Sequence, residues 1–154
     1  MRIVLAGVSG SGKTTIGTLL AARLGFVFAD ADAFHPPENI AKMSSGIPLT
    51  DSDRAGWLEA LGGYLATHPE TVLACSALKK SYRDHLRDLA VPIRFFVLTG
   101  DKAVLLDRLE GRAHFMPPSL LDSQLGTLEL GDDVTIVENL ASPDQVVAAI
   151  VSKL

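Results

Sequence analysis

Gly7-Val8-Ser9-Gly10-Ser11-Gly12-Lys13-Thr14 follows a short apolar run, Arg2–Ala6, and opens a helical pattern, Thr14–Leu24. The eight residues fit G-x-x-x-x-G-K-[ST] without a gap, in the strand-then-helix setting that gives the pattern its meaning. Glycines let the backbone wrap closely with N–H groups aimed inward, and the helix N-terminus adds the positive end of its dipole. Lys13 is expected to bridge the β- and γ-phosphates of ATP, and Thr14 to offer its hydroxyl to Mg²⁺. Gly7, Ser9, Gly10, Ser11, Gly12 and Thr15 complete the nucleotide-contacting loop. A chance glycine turn has no reason to sit between these two elements.

Outward from the loop, apolar runs alternate with helical patterns. Runs at Phe26–Ala29, Thr71–Cys75, Arg94–Leu98 and Val134–Val137 join Arg2–Ala6 as strands. Ile16, Leu19, Leu20 and Leu24 share one helical face, which Gly25 closes as a C′ residue. Thr50 and Asp53 resemble a capping box for a helix with Trp57, Leu58, Leu61 and Leu65, though Gly62-Gly63 is unfavourable inside it. Leu78, Tyr82, Leu86 and Leu89 mark another helix. Asp101 is placed to cap one through about Leu109, and Pro117–Leu128 carries a further apolar face. Ser142-Pro143 supplies an N-cap and an N1 proline for a closing helix. Near-continuous apolar strands between helices give an α/β class: a three-layer fold with a five-stranded parallel sheet flanked by helices.

The chain has 154 residues, the size of one domain. Its net charge of −4 argues against a coat for nucleic acid or anionic membrane, which needs a basic face. Cys75 is alone, excludes an intrachain disulfide and reads as a core residue. The N-terminal apolar stretch is too short for a signal peptide, and no window reaches the ~20 apolar residues of a spanning helix, so a cytoplasmic setting is expected.

The loop alone does not separate a kinase from a switch GTPase or a motor. The Asn/Thr-Lys-x-Asp tetrad of guanine specificity is missing; Thr99-Gly100-Asp101-Lys102 has the wrong order. The chain is too small for a motor with accessory domains, which favours a small-molecule kinase. Asp30 and Asp32 follow the second strand, at the sheet edge where open α/β sheets bind ligands. Strand alternation would point both the same way, one carboxylate serving a metal and the other an acceptor hydroxyl. Taken alone, the pair also reads as an Asx-turn and a helix cap.

Several blocks then carry a more specific resemblance. They are Asp30-Ala-Asp-Ala-Phe-His35-Pro36, Asn39 through Arg54, Trp57-Leu58 and Cys75-Ser-Ala-Leu-Lys79-Lys80-Ser-Tyr82-Arg83. Arg108-Leu-Glu-Gly-Arg112-Ala-His114-Phe115-Met116, Leu121-Asp-Ser-Gln124 and Leu128-Glu129 extend them. Together the blocks resemble the gluconokinases over roughly residues 3–137. The resemblance implies transfer of the ATP γ-phosphoryl group to the 6-hydroxyl of D-gluconate, on a fold similar to adenylate and shikimate kinases. It implies a single domain over 1–154, with an acceptor-binding segment at about 32–66 and a mobile lid at about 108–120, in a homodimer without nucleic-acid or membrane partners. By position, Asp32 becomes the acceptor-side carboxylate and base, and Asp30 helps hold Mg²⁺ through water. His35, Arg54, Lys79, Arg83, His114 and Gln124 surround the anionic acceptor, Arg108 serves the nucleotide, and Arg112 is the catalytic lid cation. Cationic and bidentate donors suit a sugar acid's carboxylate, and an arginine suits the charge spread over a transferring phosphoryl group.

Read singly, Lys79, Lys80 and Arg83 are equally a solvated helix face, His35 a turn residue, and Arg112 and His114 ordinary loop surface. Arg54 in a first helical turn opposes the dipole and so lacks a stability motive. Trp57, Met43 and Met116 read as packing. The chain departs from the family where Leu130-Gly131 stands in place of a proline, and in its compact lid ending at Pro117-Pro118. A kinase for shikimate, a nucleotide or another sugar acid remains the nearest rival, and a non-catalytic nucleotide-binding protein the more distant one.

Overall fold

The structure, a computed structural model, describes residues 1–8, 10–77, 79–90, 92–100, 121–139 and 142–154. Ser9, Arg108, Arg112, His114, the Asp101 helix and the lid therefore lie outside the described residues. Five strands, β1 (Arg2–Ala6), β2 (Val27–Asp30), β3 (Thr71–Ala74), β4 (Ile93–Thr99) and β5 (Thr135–Glu138), form one sheet in the order β2-β3-β1-β4-β5. Every pairing is parallel. Among the described residues the helices are α1 (Lys13–Leu24), α2 (Pro37–Ser44), α3 (Asp51–Thr67), α4 (Lys80–Leu89), α5 (Leu121–Thr127) and α6 (Pro143–Val151), with a 3-10 turn at Ala31–Phe34.

Strand alternation divides the core into two layers. Ile3 and Leu5 face α1 and α6, packing with Ile16, Leu20, Val146 and Ile150. Val4 and Ala6 face α3 and α4, packing with Trp57, Leu61, Leu65 and Leu86. Each β1 side chain from Ile3 to Ala6 is fully buried, which explains why the run shows no polar alternation.

The caps follow the sequence closely. Thr50 and Asp53 make the reciprocal capping box of α3, and Ser142 and Gln145 that of α6. Gly25 closes α1 in the left-handed conformation. The Gly62-Gly63 pair also finds its reason: a Cβ at Gly62 would stand 2.3 Å from Leu89 Cδ1, so its absence lets α3 and α4 approach. Gly63 has open space around its own missing Cβ.

Candidate active site

The phosphate loop leaves β1 at the C-terminal edge of the sheet. Gly7 has φ 139°, and a Cβ there would lie 2.7 Å from the Leu98 carbonyl oxygen, so glycine is required sterically as well as conformationally. The Gly7 N–H donates to the Ser76 carbonyl at 3.2 Å, tying the loop to the chain beyond β3. Asn139, buried just past β5, braces it from the other side, its Nδ2 donating to the Ser11 carbonyl at 2.7 Å.

Gly12, the N-cap of α1, is left-handed and contributes no side-chain hydrogen bond, and no acidic residue stands in the first turn. A helix start with neither a side-chain cap nor its own anion suits an external phosphate. The Lys13 ammonium folds onto the Gly7 and Val8 carbonyls at 2.9 and 3.0 Å, and buried Ser11 Oγ has no hydrogen-bond partner among the described residues. Thr15 is an exposed residue of the first turn of α1.

Across from the loop, Thr14 Oγ1 donates to Asp30 Oδ2 at 3.2 Å. The strand ends at Asp30, so Asp32 reaches the site through the 3-10 turn and not by strand alternation. Asp30 caps that turn, its Oδ1 accepting from the Asp32 N–H at 3.0 Å. The Asx-cap reading therefore holds, and the cap fixes the Asp32 backbone against the Asp30 carboxylate. Burial first, then the neighbouring Asp30 charge, push the Asp32 carboxyl up to about 6, while Lys13 pulls it back. A Mg²⁺ ion fits here: a hydroxyl and a carboxylate converge beside the phosphate loop, and this ion takes few protein ligands alongside phosphates. Among the described residues no three His, Cys, Asp or Glu side chains gather as a metal cage.

The 3-10 turn ends at His35, whose ring stacks on Trp57 with centroids 4.4 Å apart and planes 8° from parallel. Trp57 is held in turn by its indole N–H donating to the Ala31 carbonyl at 2.8 Å, so it is both core and platform. Burial and then the Arg54 charge lower His35 to about 4. Arg54 Nη1 donates to the Leu49 carbonyl at 2.8 Å and to Tyr82 Oη at 3.2 Å. Tyr82 donates to Asp51 Oδ1 at 2.5 Å, and Lys79 Nζ reaches the same oxygen at 3.2 Å. The network brings Arg54 and Lys79 together from the starts of two helices. Asp51 and Tyr82 escaped the sequence reading as site residues because their roles come from pairings 28–31 residues apart in the chain.

Arg83 does not join this group. It is fully buried, donating to the Ala77 and Glu129 carbonyls and pairing with Asp133. Ala77 has φ 40°, a left-handed conformation uncommon without glycine, and Arg83 holds its carbonyl at 3.0 Å. Arg83 thus sets the loop that presents Lys79; its guanidinium is interior and committed to Asp133 and two carbonyls, whereas the family resemblance expects it around the acceptor. Gln124 is half-buried on α5. Burial pushes the Cys75 thiol up to about 12, as befits a core residue.

Comparison with known proteins supports these observations. The family described as AAA domain matches residues 3–115. A gluconokinase of Gluconobacter oxydans is 51% identical over 141 residues, spanning 88% of this chain and 79% of that protein. The crystal structure of a gluconokinase from Sinorhizobium meliloti superposes with a TM-score of 0.89 at 46% identity, covering 98% of this chain and 89% of the other. A shikimate kinase from Aquifex aeolicus shares the fold alone, with a TM-score of 0.71 at 20% identity over 99% of this chain and 95% of that one. Sequence and architecture agree over nearly the whole length, and on both grounds the chain belongs to the gluconokinase family.

Proposed function

We propose that the chain transfers the γ-phosphoryl group of ATP to the 6-hydroxyl of D-gluconate, giving 6-phospho-D-gluconate and ADP. The observation that carries the residue assignment is the placement of Asp32. It is a half-buried carboxyl held near 6, beside the phosphate loop and at the head of the His35, Arg54 and Lys79 group.

The phosphate loop and Lys13 receive the nucleotide. His35, Arg54 and Lys79 hold the acceptor, whose carboxylate matches the two cations and whose hydroxyls match the neutral imidazole. As the acceptor oxygen bonds to the γ-phosphorus and ADP departs, the hydroxyl proton passes to Asp32, whose pKa is close enough to working pH for a general base. Mg²⁺, held by Thr14, Asp30 and the phosphates, would supply charge neutralisation at the β- and γ-oxygens. The segment at about 32–66 binds the acceptor. On the same reading Arg108 of the 108–120 lid serves the nucleotide, Arg112 the transferring group, and His114 and Gln124 the acceptor. The same reading takes the chain as a cytoplasmic protein with no nucleic-acid or membrane partner, as its charge and hydropathy suggest, and as the homodimer that the family resemblance implies.

An ADP-release assay with ATP, Mg²⁺ and D-gluconate, shikimate, related sugar acids and nucleoside monophosphates tests this reading. Gluconate-dependent turnover, lost in Asp32→Asn while nucleotide binding persists, is expected. Turnover on another acceptor would overturn the gluconate pocket, and retained turnover in Asp32→Asn would overturn the base.

A further inference from the structure

We propose that Asn39 is a positioning residue that fixes His35 as the neutral Nε2–H tautomer, so that His35 offers the acceptor a hydrogen-bond donor and no proton-accepting nitrogen. The inference rests on the acceptor site proposed above and adds what one of its side chains can and cannot do.

The geometry leaves little choice. Asn39 is 3% exposed on α2, and one terminal atom of its amide lies 2.8 Å from the Asp53 carbonyl oxygen and 3.2 Å from His35 Nδ1. A backbone carbonyl can only accept, so the amide atom facing it must be the nitrogen; the flipped amide would set two oxygens against each other. That NH₂ has two hydrogens, one for the carbonyl and one for His35 Nδ1. Nδ1 must then be the unprotonated, accepting nitrogen, and in a neutral imidazole the proton falls to Nε2.

Neutrality is enforced independently. Arg54 from α3 faces the ring with a like charge, and Trp57 from the same helix covers one face. The Trp57 stack fixes the ring plane, and the Asn39 contact fixes its rotation within that plane. Among the described residues Nε2 has no hydrogen-bond partner, which leaves its N–H available for an oxygen of the acceptor. His35 therefore cannot take the proton of the attacking hydroxyl, and that role falls to Asp32.

The segment is braced to hold this arrangement. Lys42, three residues on from Asn39, pairs with the Asp53 carboxylate at 2.9 Å, so α2 is pinned to the start of α3 by both the side chain and the carbonyl of one residue.

The test begins on the full chain without substrate, which separates it from the identity of the acceptor. Long-range ¹H–¹⁵N spectra of the ¹⁵N-labelled protein, with His35 assigned by its loss in His35→Gln, report the tautomer directly. An Nε2–H pattern is expected in the wild type, inverting to Nδ1–H in Asn39→Asp, whose carboxylate can only accept. An Nδ1–H or freely exchanging pattern in the wild type would overturn the proposal, whether or not the Asn39 variant folds. Kinetics add a second reading. Gln at position 35 places an amide donor near Nε2, and Asn places one near Nδ1. Both substitutions should raise the acceptor KM, His35→Asn about tenfold more than His35→Gln, the range of one hydrogen bond. Equal losses in both would overturn the donor role.

Discussion

Arg83 and Asp133 meet fork to fork, Nε 2.7 Å from Oδ2 and Nη2 3.2 Å from Oδ1, with the guanidinium fully buried. Arg87 Nη2 is a third donor to the carboxylate, reaching Oδ2 at 2.9 Å. Removing the carboxylate strands a buried cation, so Asp133→Ala should cost about 3–5 kcal/mol in urea unfolding, far more than a surface pair. A loss below about 1 kcal/mol would show that the guanidinium finds water instead.

The same pair sets an acid limit on stability. Hydrogen bonding from Arg83 holds the Asp133 carboxyl at about 2, against an ordinary 3.8. A depressed carboxylate contributes fully above its unfolded value and loses that contribution as pH falls toward 2. Below about pH 4 the wild type should therefore lose stability faster than Asp133→Ala, and the two melting curves should converge. Parallel curves would dissociate the low pKa from the ion pair.

Gly62 and Gly63 should respond with opposite signs to the same change. Alanine at 62 drives a Cβ to 2.7 Å from Leu89 Cβ as well as onto its Cδ1, a clash that rotation of the leucine tip cannot relieve. Gly62→Ala should cost about 1–3 kcal/mol by overpacking. At 63 nothing lies within 4 Å, and Gly63→Ala should stabilise by up to about 1 kcal/mol through helix propensity. Thermal melts of the two single variants decide it; equal signs would remove the packing explanation for Gly62.

The sheet, its five runs, the Thr50 capping box and the Ser142 N-cap were legible because they depend on local pattern: strand hydrophobicity, a Thr-to-Asp spacing, a Ser-Pro start; the Gln145 half of the second box was not. The phosphate loop was legible for the same reason, and Asp30 and Asp32 drew notice from their place at the end of an apolar run. What was not legible depends on distant partners. Arg83 and Lys79 sit in one block of sequence, yet one is interior and the other faces the site, because Asp133 lies 50 residues away from Arg83. Asn39 opens one of the resemblance blocks but drew no role there; only its approach to the Asp53 carbonyl and His35 reveals one. Asp32 does lie just past the end of β2, but a 3-10 turn and not strand alternation carries it there.

Asp32 should trade stability for function. Its carboxyl is raised from 3.8 to about 6, chiefly by burial, so ionisation disfavours the folded state. Below pH 3.8 the group is neutral folded or unfolded and costs nothing; the penalty grows from there to pH 6 and is constant above. In Mg²⁺-free buffer, Asp32→Asn should therefore be the more stable protein at pH 8, by up to about 3 kcal/mol less whatever water recovers at the half-buried carboxyl. The advantage should vanish near pH 4. An asparagine variant less stable at pH 8 would mean that the carboxylate makes contacts stronger than its desolvation.

Asp30 performs two tasks that substitution can separate. Its Oδ1 caps the 3-10 turn through the Asp32 N–H, and its charge raises the Asp32 carboxyl. Asparagine keeps the accepting oxygen and removes the charge, whereas alanine removes both. In Mg²⁺-free protein, Asp30→Asn should leave the melting temperature nearly unchanged and lower the Asp32 midpoint measured by carboxyl ¹³C titration. Asp30→Ala should also cost about 1 kcal/mol from the lost cap. With nucleotide present, both variants should need more Mg²⁺ for half-maximal turnover, because the partner of the Thr14 hydroxyl at 3.2 Å is neutral or gone. If the Asp32 midpoint stays put in Asp30→Asn, burial alone accounts for it; if the Mg²⁺ requirement stays put, the Thr14–Asp30 contact is only a brace between α1 and β2.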